Sequence, residues 1–296
     1  AFTLQNKLPQ GQTGTYFRLV DENNASAKRK AFVSRQHRHP NIDQRDFEKI
    51  PGAPIAYWMT ENAIRVFDRN ESLGDRMSAS TGLQTSNNKR FLRQWYETSK
   101  KEIGKTWSFF AKRVDKKWAG KDSFVVKWDN DGREIKSYVV SKYNYLSSAS
   151  LVVKNQEKYF REGIICGRIG SNSLIFRLVG NCEIYADATT GFFPEKKNIQ
   201  YYLGIANSKL LNLVKSLQPT INTQAGDLEK IPVLPTQPDK IEVEELVEES
   251  IALSSIDWES HETSWDFTQH PLVQQNAPSL EAAYDAWKAQ ATDDFL

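Results

Sequence analysis

The sequence predicts an α+β fold, with mixed or antiparallel strands packed against helices and an acidic helical appendage behind them. Strand-like segments dominate as far as Val179, helical stripes follow from Asn198, and from Glu242 the charge turns strongly negative. Strands first and helices afterwards is the pattern of an α+β body rather than of alternating βαβ units.

The first segment, FTLQNKLPQGQTGTYFRLVD, alternates apolar and polar residues about Pro-Gln-Gly-Gln and reads as a hairpin. Asn23 to Lys30 reads as polar connector. In DFEKIPGAPIAYWMT two prolines flank a glycine, which predicts a fixed corner. TENAIRVF is a short capped helix with Ile64 and Phe67 on one face. Phe91, Trp95, Ile103, Trp107, Phe109 and Phe110 then recur loosely through helix, turn and strand. SFVVKWDNDGREIKSYVV is the clearest hairpin, because Asn-Asp-Gly supplies the positive φ angles of a tight turn. YFREGIICGRIGSNSLIFRLV gives two more strands about Gly170 to Ser173. Asn198 to Leu217 carries an apolar stripe at helical spacing, through Ile199, Tyr202, Ile205, Ala206, Leu210, Leu213 and Leu217. The loop TINTQAG and the extended exit LEKIPVLP follow, then the helices EVEELVEESIALSSIDW and SLEAAYDAWKAQATDDF.

With 39% hydrophobic and 26% charged residues over 296 positions the chain has the composition of a globular protein. Its apolar runs are far shorter than the roughly 20 residues of a membrane helix. AFTLQNKLPQ has neither an initiator Met nor a signal-peptide pattern, so the chain reads as a piece of something longer. Cys166 and Cys182 are expected as buried thiols of a reducing, cytoplasmic setting.

A net charge of +2 hides an uneven distribution. Between Lys89 and Lys121 eleven Lys or Arg face only Glu97, Glu102 and Asp115, whereas from Glu242 onward Lys288 stands against thirteen acidic residues. A basic face and an acidic tail suit a surface that meets a polyanion, and a basic run also suits a solvated helix face.

No motif marks a catalytic centre or a metal site. His37 and His39 lack Cys or carboxylate partners at ligand spacing, and HExxH, CxxC, Walker and GxSxG patterns are absent. Binding is better represented. Bases are read by Arg, Lys, Asn, Gln, Ser and Thr, phosphates are neutralised by Lys and Arg, and aromatics stack on exposed bases. GLQTSNNKRFLRQW, from Gly82 to Trp95, concentrates these types. NTQ in TINTQAG reads equally as a hydrogen-bonded turn.

Several segments, in order, carry a resemblance: FEKIPGAPIAYW, GLQTSNNKRFLRQWYE, YFREGI, YYLGIANSKLLN, LQPTINTQAGDLEKIPVLP and SSIDWESHETSWDFTQHPL. Together they resemble the carboxy-terminal half of PglX, the adenine-specific DNA methyltransferases of BREX phage-defence systems. The GLQTSNN and NTQAGDLEKIPV pieces are also similar to target-recognition domains of type I specificity subunits. The resemblance implies a connecting hairpin and linker over 1–50, a target-recognition domain over 51–235 and the start of a helical domain over 236–296. It implies sequence-selective recognition of double-stranded DNA by this chain. S-adenosylmethionine and the NPPY motif would belong to a catalytic half, since no NPPY occurs here. Other BREX proteins and phage proteins that mimic DNA are the further partners it implies.

The residues expected at DNA are Gly82, Gln84, Thr85, Ser86, Asn87, Asn88, Lys89 and Arg90, with Lys112, Arg113, Lys116 and Lys117 from the basic run. Arg168, Ser171 and Asn172 form a second reading loop, and Asn222, Thr223 and Gln224 a third. Gly82 would let the backbone approach a phosphate or turn tightly. Phe91 and Trp95 would anchor the following helix or stack on bases. Two departures from the family pattern stand out: Ser86 where Gly is usual, and Ile165-Cys166 where Thr-Trp is common. The rival reading is a protein-interaction module of a multi-subunit defence complex, docking through the acidic stretch after Glu242. A nuclease piece ranks last, for want of its motif.

Overall fold

The computed structural model describes residues 13–168, 174–217, 223–234 and 240–295. Strand β1 (Thr13–Phe17) pairs antiparallel with β2 (Arg38–Asp43), and helix α1 (Ala25–Val33) lies between them in sequence. The expected connector is therefore helical. Asn24 caps it by accepting from the Ala27 amide at 2.9 Å, and Ala31 is its buried face. The first half of the expected opening hairpin lies outside the described residues, and β1 pairs forward with β2. The Pro51–Pro54 corner is formed through positive φ at Gly52 (84°) and Ala53 (45°). Helix α2 (Glu61–Arg69) starts on the Thr60 cap and buries Phe67 as expected, and the single turn α3 (Leu73–Arg76) follows.

The body is two four-stranded sheets. The first contains β3 (Ser80–Thr81), and the second contains β4 (Leu92–Gln94), β5 (Trp107–Ala111) and β6 (Phe124–Lys127), with the one-turn helix α4 (Asn88–Phe91) before β4. After helix α5 (Arg133–Lys142), β7 (Gly163–Gly167) and β8 (Phe176–Val179) return to the first sheet. Next, β9 (Glu183–Tyr185) joins the second, and β10 (Thr189–Phe192) rejoins the first. The orders are β3-β10-β7-β8 and β4-β6-β5-β9, antiparallel except for β5 with β9. The β7–β8 pair is as the sequence predicts.

The clearest expected hairpin is not formed. Asn130, Asp131 and Gly132 do take positive φ (47°, 59° and 68°), but they lead into α5. Strand β6 already has β4 and β5 on its two edges, so no edge remains for a returning strand. In α5, Ile135 and Val139, four apart, are fully buried, and Glu134 places a carboxylate in the first turn.

The long helix expected over Asn198–Leu217 is two, α6 (Ile199–Asn207) and α7 (Leu210–Ser216). Asn207 holds both backbone groups of Phe176 at 2.9 Å, tying the end of α6 to β8, and the Leu210 amide donates to Ser208 Oγ at 3.2 Å. After the single turn α8 (Ala225–Leu228), α9 (Lys240–Glu259) packs on α6 at Gly204. There a Cβ would stand 2.9 Å from the methyls of Val243 and Val247. The short α10 (Pro271–Gln274) and α11 (Leu280–Phe295) end the described chain.

Cys166 is buried in β7, and burial pushes its thiol up to about 12, whereas Cys182, expected to be buried, is exposed between β8 and β9. That same turn holds a buried ion pair. Arg177 of β8 meets Glu183 of β9 at 3.2 Å with both side chains 3% exposed, and Glu183 also accepts from the Gly180 amide at 2.9 Å. Removing one partner strands the other charge. Glu183→Ala is expected to cost about 3–5 kcal/mol in urea unfolding, and Arg177→Met combined with Glu183→Leu to cost much less. Equal losses in the two variants would show that the pair is not coupled.

Candidate nucleic-acid interface

Segment 82–91 carries the chain from β3 to β4, and segment 186–188 carries it from β9 to β10, so both pass between the sheets. They run side by side. The Gly82 amide donates to Ala186 O (3.2 Å), Leu83 N to Tyr185 O (2.9 Å) and Asp187 N to Leu83 O (3.0 Å). On the other side Gln84 N donates to Val152 O at 2.8 Å and Asn155 Nδ2 to Thr81 O at 2.7 Å. Gly82 is buried here, and a Cβ would lie 1.8 Å from Tyr185 O. The glycine thus serves a backbone-to-backbone approach inside the protein.

Beyond Gln84 the loop is held by its own side chains. Thr85 is buried and its hydroxyl donates to Asn88 Oδ1. Asn87 caps α4 by accepting from the Arg90 amide (3.2 Å) and donates to the Tyr138 hydroxyl (3.2 Å). Arg90 donates to Glu134 at 2.7 and 3.0 Å, and Lys127 donates to the same carboxylate at 2.5 Å, which accounts for its lowered pKa. Phe91 is fully buried, edge-on to Tyr138. Trp95 is anchored elsewhere: its indole donates to Thr263 O at 2.9 Å and meets Trp265 edge-on. Gln84, Asn88 and Lys89 are left exposed, and Lys89 has no ion pair among the described residues.

These side chains line a cavity of about 420 Å³ that Lys112 and Asp187 complete, walled by Leu83 and Phe110. Lys112 lies over the Phe124 ring at 4.1 Å. Burial raises the Asp187 carboxyl above the usual range, against the lowering influence of Lys154 and Arg168. Arg168 ties the neighbouring pieces together. It donates to Asp187 O (3.2 Å) and Gln224 Oε1 (3.0 Å), its amide reaches Ala188 O (3.0 Å), and its carbonyl accepts from Thr223 N (3.1 Å). Thr223 is buried and Gln224 exposed. Ser171, Asn172 and Asn222 lie outside the described residues.

Part of the basic run lies against acidic partners, whereas Arg93, Lys100, Lys101 and Lys105 have no carboxylate partner among the described residues. Arg113 pairs with Asp115 (3.0 Å), Lys116 with Asp257 (3.1 Å) beneath the Trp258 ring, and Lys121 with Asp266 (3.0 Å). Lys117 lies on the Trp118 ring, and burial lowers its ammonium pKa. The loops therefore gather Gln84, Asn88, Lys89, Lys112, Arg168 and Gln224 around 186–188, while Arg113, Lys116 and Lys117 face their own partners. Asp187 was not singled out in the sequence, where no local pattern marks it; only the crossing of the chain brings it beside Leu83.

Among the described residues no cluster of His, Cys, Asp or Glu is arranged for a metal, and no helix is long and apolar enough to cross a membrane. No family model matches the chain. The proteins it does resemble along its whole course are adenine-specific methyltransferases. Adenine-specific methyltransferase PglX of Lacticaseibacillus casei (strain Zhang) is 30% identical over 321 aligned positions, which cover 100% of this chain and 26% of that protein. Adenine-specific methyltransferase BrxX of Escherichia coli O9:H4 (strain HS) is 31% identical over 286, covering 93% of this chain and 22% of that protein. The chain is similar to these methyltransferases along its length and spans about a quarter of theirs.

Ser86 carries the strain of the loop. Its φ is +59°, a region that disfavours side chains, and its hydroxyl is buried without a partner among the described residues. Ser86→Gly is expected to raise stability by about 1 kcal/mol, read as an increased urea midpoint at unchanged slope. A lowered midpoint would mean that the hydroxyl has a role in holding the loop.

Proposed function

We propose that this chain recognises double-stranded DNA sequence-selectively, as the target-recognition part of a BREX-type adenine-specific DNA methyltransferase used in host modification and phage defence. The observation that carries the proposal is the cavity between the two sheet crossings, where donors and acceptors from separate loops face one opening. Gln84 and Asn88 suit the N6/N7 edge of adenine, Lys89 and Lys112 suit phosphate or guanine, and Asp187 suits the amine of cytosine. The similarity to adenine-specific methyltransferases supports the same reading.

Methyl transfer is assigned outside this chain. S-adenosylmethionine fits a parallel sheet whose strands open through a glycine turn into a helix. Here the strands of both sheets are antiparallel but for β5–β9, and the segments at the cavity lead to a single helical turn and a strand. The described residues do not fit that cofactor. In the intact enzyme the chain would hold the duplex in register while the catalytic part takes the flipped adenine.

Selection from a random duplex pool by the purified chain is expected to enrich one short motif. Gln84→Ala should lose about 1–3 kcal/mol of preference at one position of that motif, and Lys89→Ala should weaken all duplexes alike, lowering the log–log salt slope by about one. Absence of any enriched motif would refute the reading.

Exposed Ile241, Leu246 and Ile256 on α9 favour a second reading, a protein-docking module. It predicts equal binding of selected and scrambled duplexes.

A further inference from the structure

Free positive charge lies in a part of the fold that the sequence pattern assigned to a connector. Between Glu22 and Asp43 there is no acidic residue, and Lys28, Arg29, Lys30, Arg35 and Arg38 fall within this stretch. All five are exposed: three on α1, one in the turn behind it and one at the start of β2. Glu22 lies against His37 at 3.3 Å, and among the described residues none of the five has a carboxylate partner. In the run from Lys89 to Lys121, Arg90, Arg113, Lys116 and Lys121 are each paired, so the eleven cations there are only partly available, whereas the α1 stretch keeps all five.

The unit that carries these cations is fixed in shape. The amides of Ser34 and Gln36 donate to Lys30 O and Ala31 O at 2.9 Å, and Arg35 and His37 hold φ of 55° and 53° through the turn. The Arg18 amide closes the turn onto β1 by donating to His37 O at 3.0 Å, and Phe32 packs edge-on against Phe17 at 4.7 Å. The Arg18 side chain lies over the Trp58 ring at 4.4 Å, which links the unit to the corner after Pro54.

Unpaired, solvated cations on a rigid support gain most from a ligand of dense negative charge, because each phosphate they neutralise releases a condensed counterion. We propose that the β1–α1–β2 unit is a second contact surface that grips the phosphate backbone of duplex DNA, adding affinity and register without choosing sequence. This rests on the DNA-recognition reading above, since the duplex held here is taken to be the one read at the cavity.

The test uses the whole chain and two variants on different elements, Lys28→Ala/Arg29→Ala/Lys30→Ala and Arg35→Gln/Arg38→Gln. Each is titrated against the selected duplex and a scrambled one over a range of salt, with unfolding midpoints measured alongside to show that the fold is kept. The log–log salt slope is expected to fall by about three for the triple variant and about two for the double one. The drop should be equal on both duplexes, leaving their affinity ratio unchanged. Unaltered slopes, or a changed affinity ratio, would overturn this surface while the cavity reading stands. Wild-type chain that binds both duplexes equally, with slopes that still fall in the variants, would overturn the cavity reading and leave this surface. An acidic protein as the true partner would show as no duplex binding by the wild-type chain, which overturns both.

Discussion

The fold depends on how the chain pairs its backbone where it passes between the two sheets. A strand that leaves a sheet gives up ladder partners, and buried amides and carbonyls cannot stay unpaired. Two of the crossings, 82–83 and 185–187, solve this by bonding to each other, which presses Gly82 against the Tyr185 carbonyl and leaves no room for a side chain. Another, between β8 and β9, is a short turn whose charged ends neutralise each other as Arg177 and Glu183. Its pairing also places β9 parallel to β5, the exception among antiparallel neighbours.

The candidate interface is the outward side of that constraint. Once residues 82–84 are pinned on both edges, the chain has only a few positions in which to turn before Phe91 enters the core. Thr85, Asn87 and part of Asn88 are used to hold the turn, and Ser86 takes a strained φ to complete it. Gln84 and Lys89 remain free because the holding is done by their neighbours. A polar loop fixed in this way loses little conformational freedom on binding, which favours selectivity over adaptability.

Local patterns in the sequence showed helix α2, which begins on a strong cap, the existence of α9, and the β7–β8 strand pair, while the turn expected between those strands lies outside the described residues. They misread Asn-Asp-Gly before α5 because a positive-φ turn looks the same whether a strand or a helix follows. What decides is that both edges of β6 are occupied, a fact of topology. The break after Asn207 likewise rests on a side chain bonded to Phe176, thirty-one residues away. At the site, the loop from Gly82 was legible from its residue types. Asp187 and the role of Gly82 were not, because each depends on which distant segment lies alongside.

Charge shows the same limit most sharply. A run of cations followed by a run of carboxylates suggested two separate surfaces, yet Lys116 with Asp257 and Lys121 with Asp266 place parts of the two against each other, flanked by Trp258 and Trp265. Exposed pairs of this kind contribute little stability, but they remove cations from the set that can meet an external anion. Density of basic residues in the sequence therefore does not measure available charge. The quantity that matters is charge left over after internal pairing: Lys89 and Lys112 at the cavity, the five cations about α1 and Lys100, Lys101 and Lys105 keep theirs, while Arg90, Arg113, Lys116 and Lys121 do not.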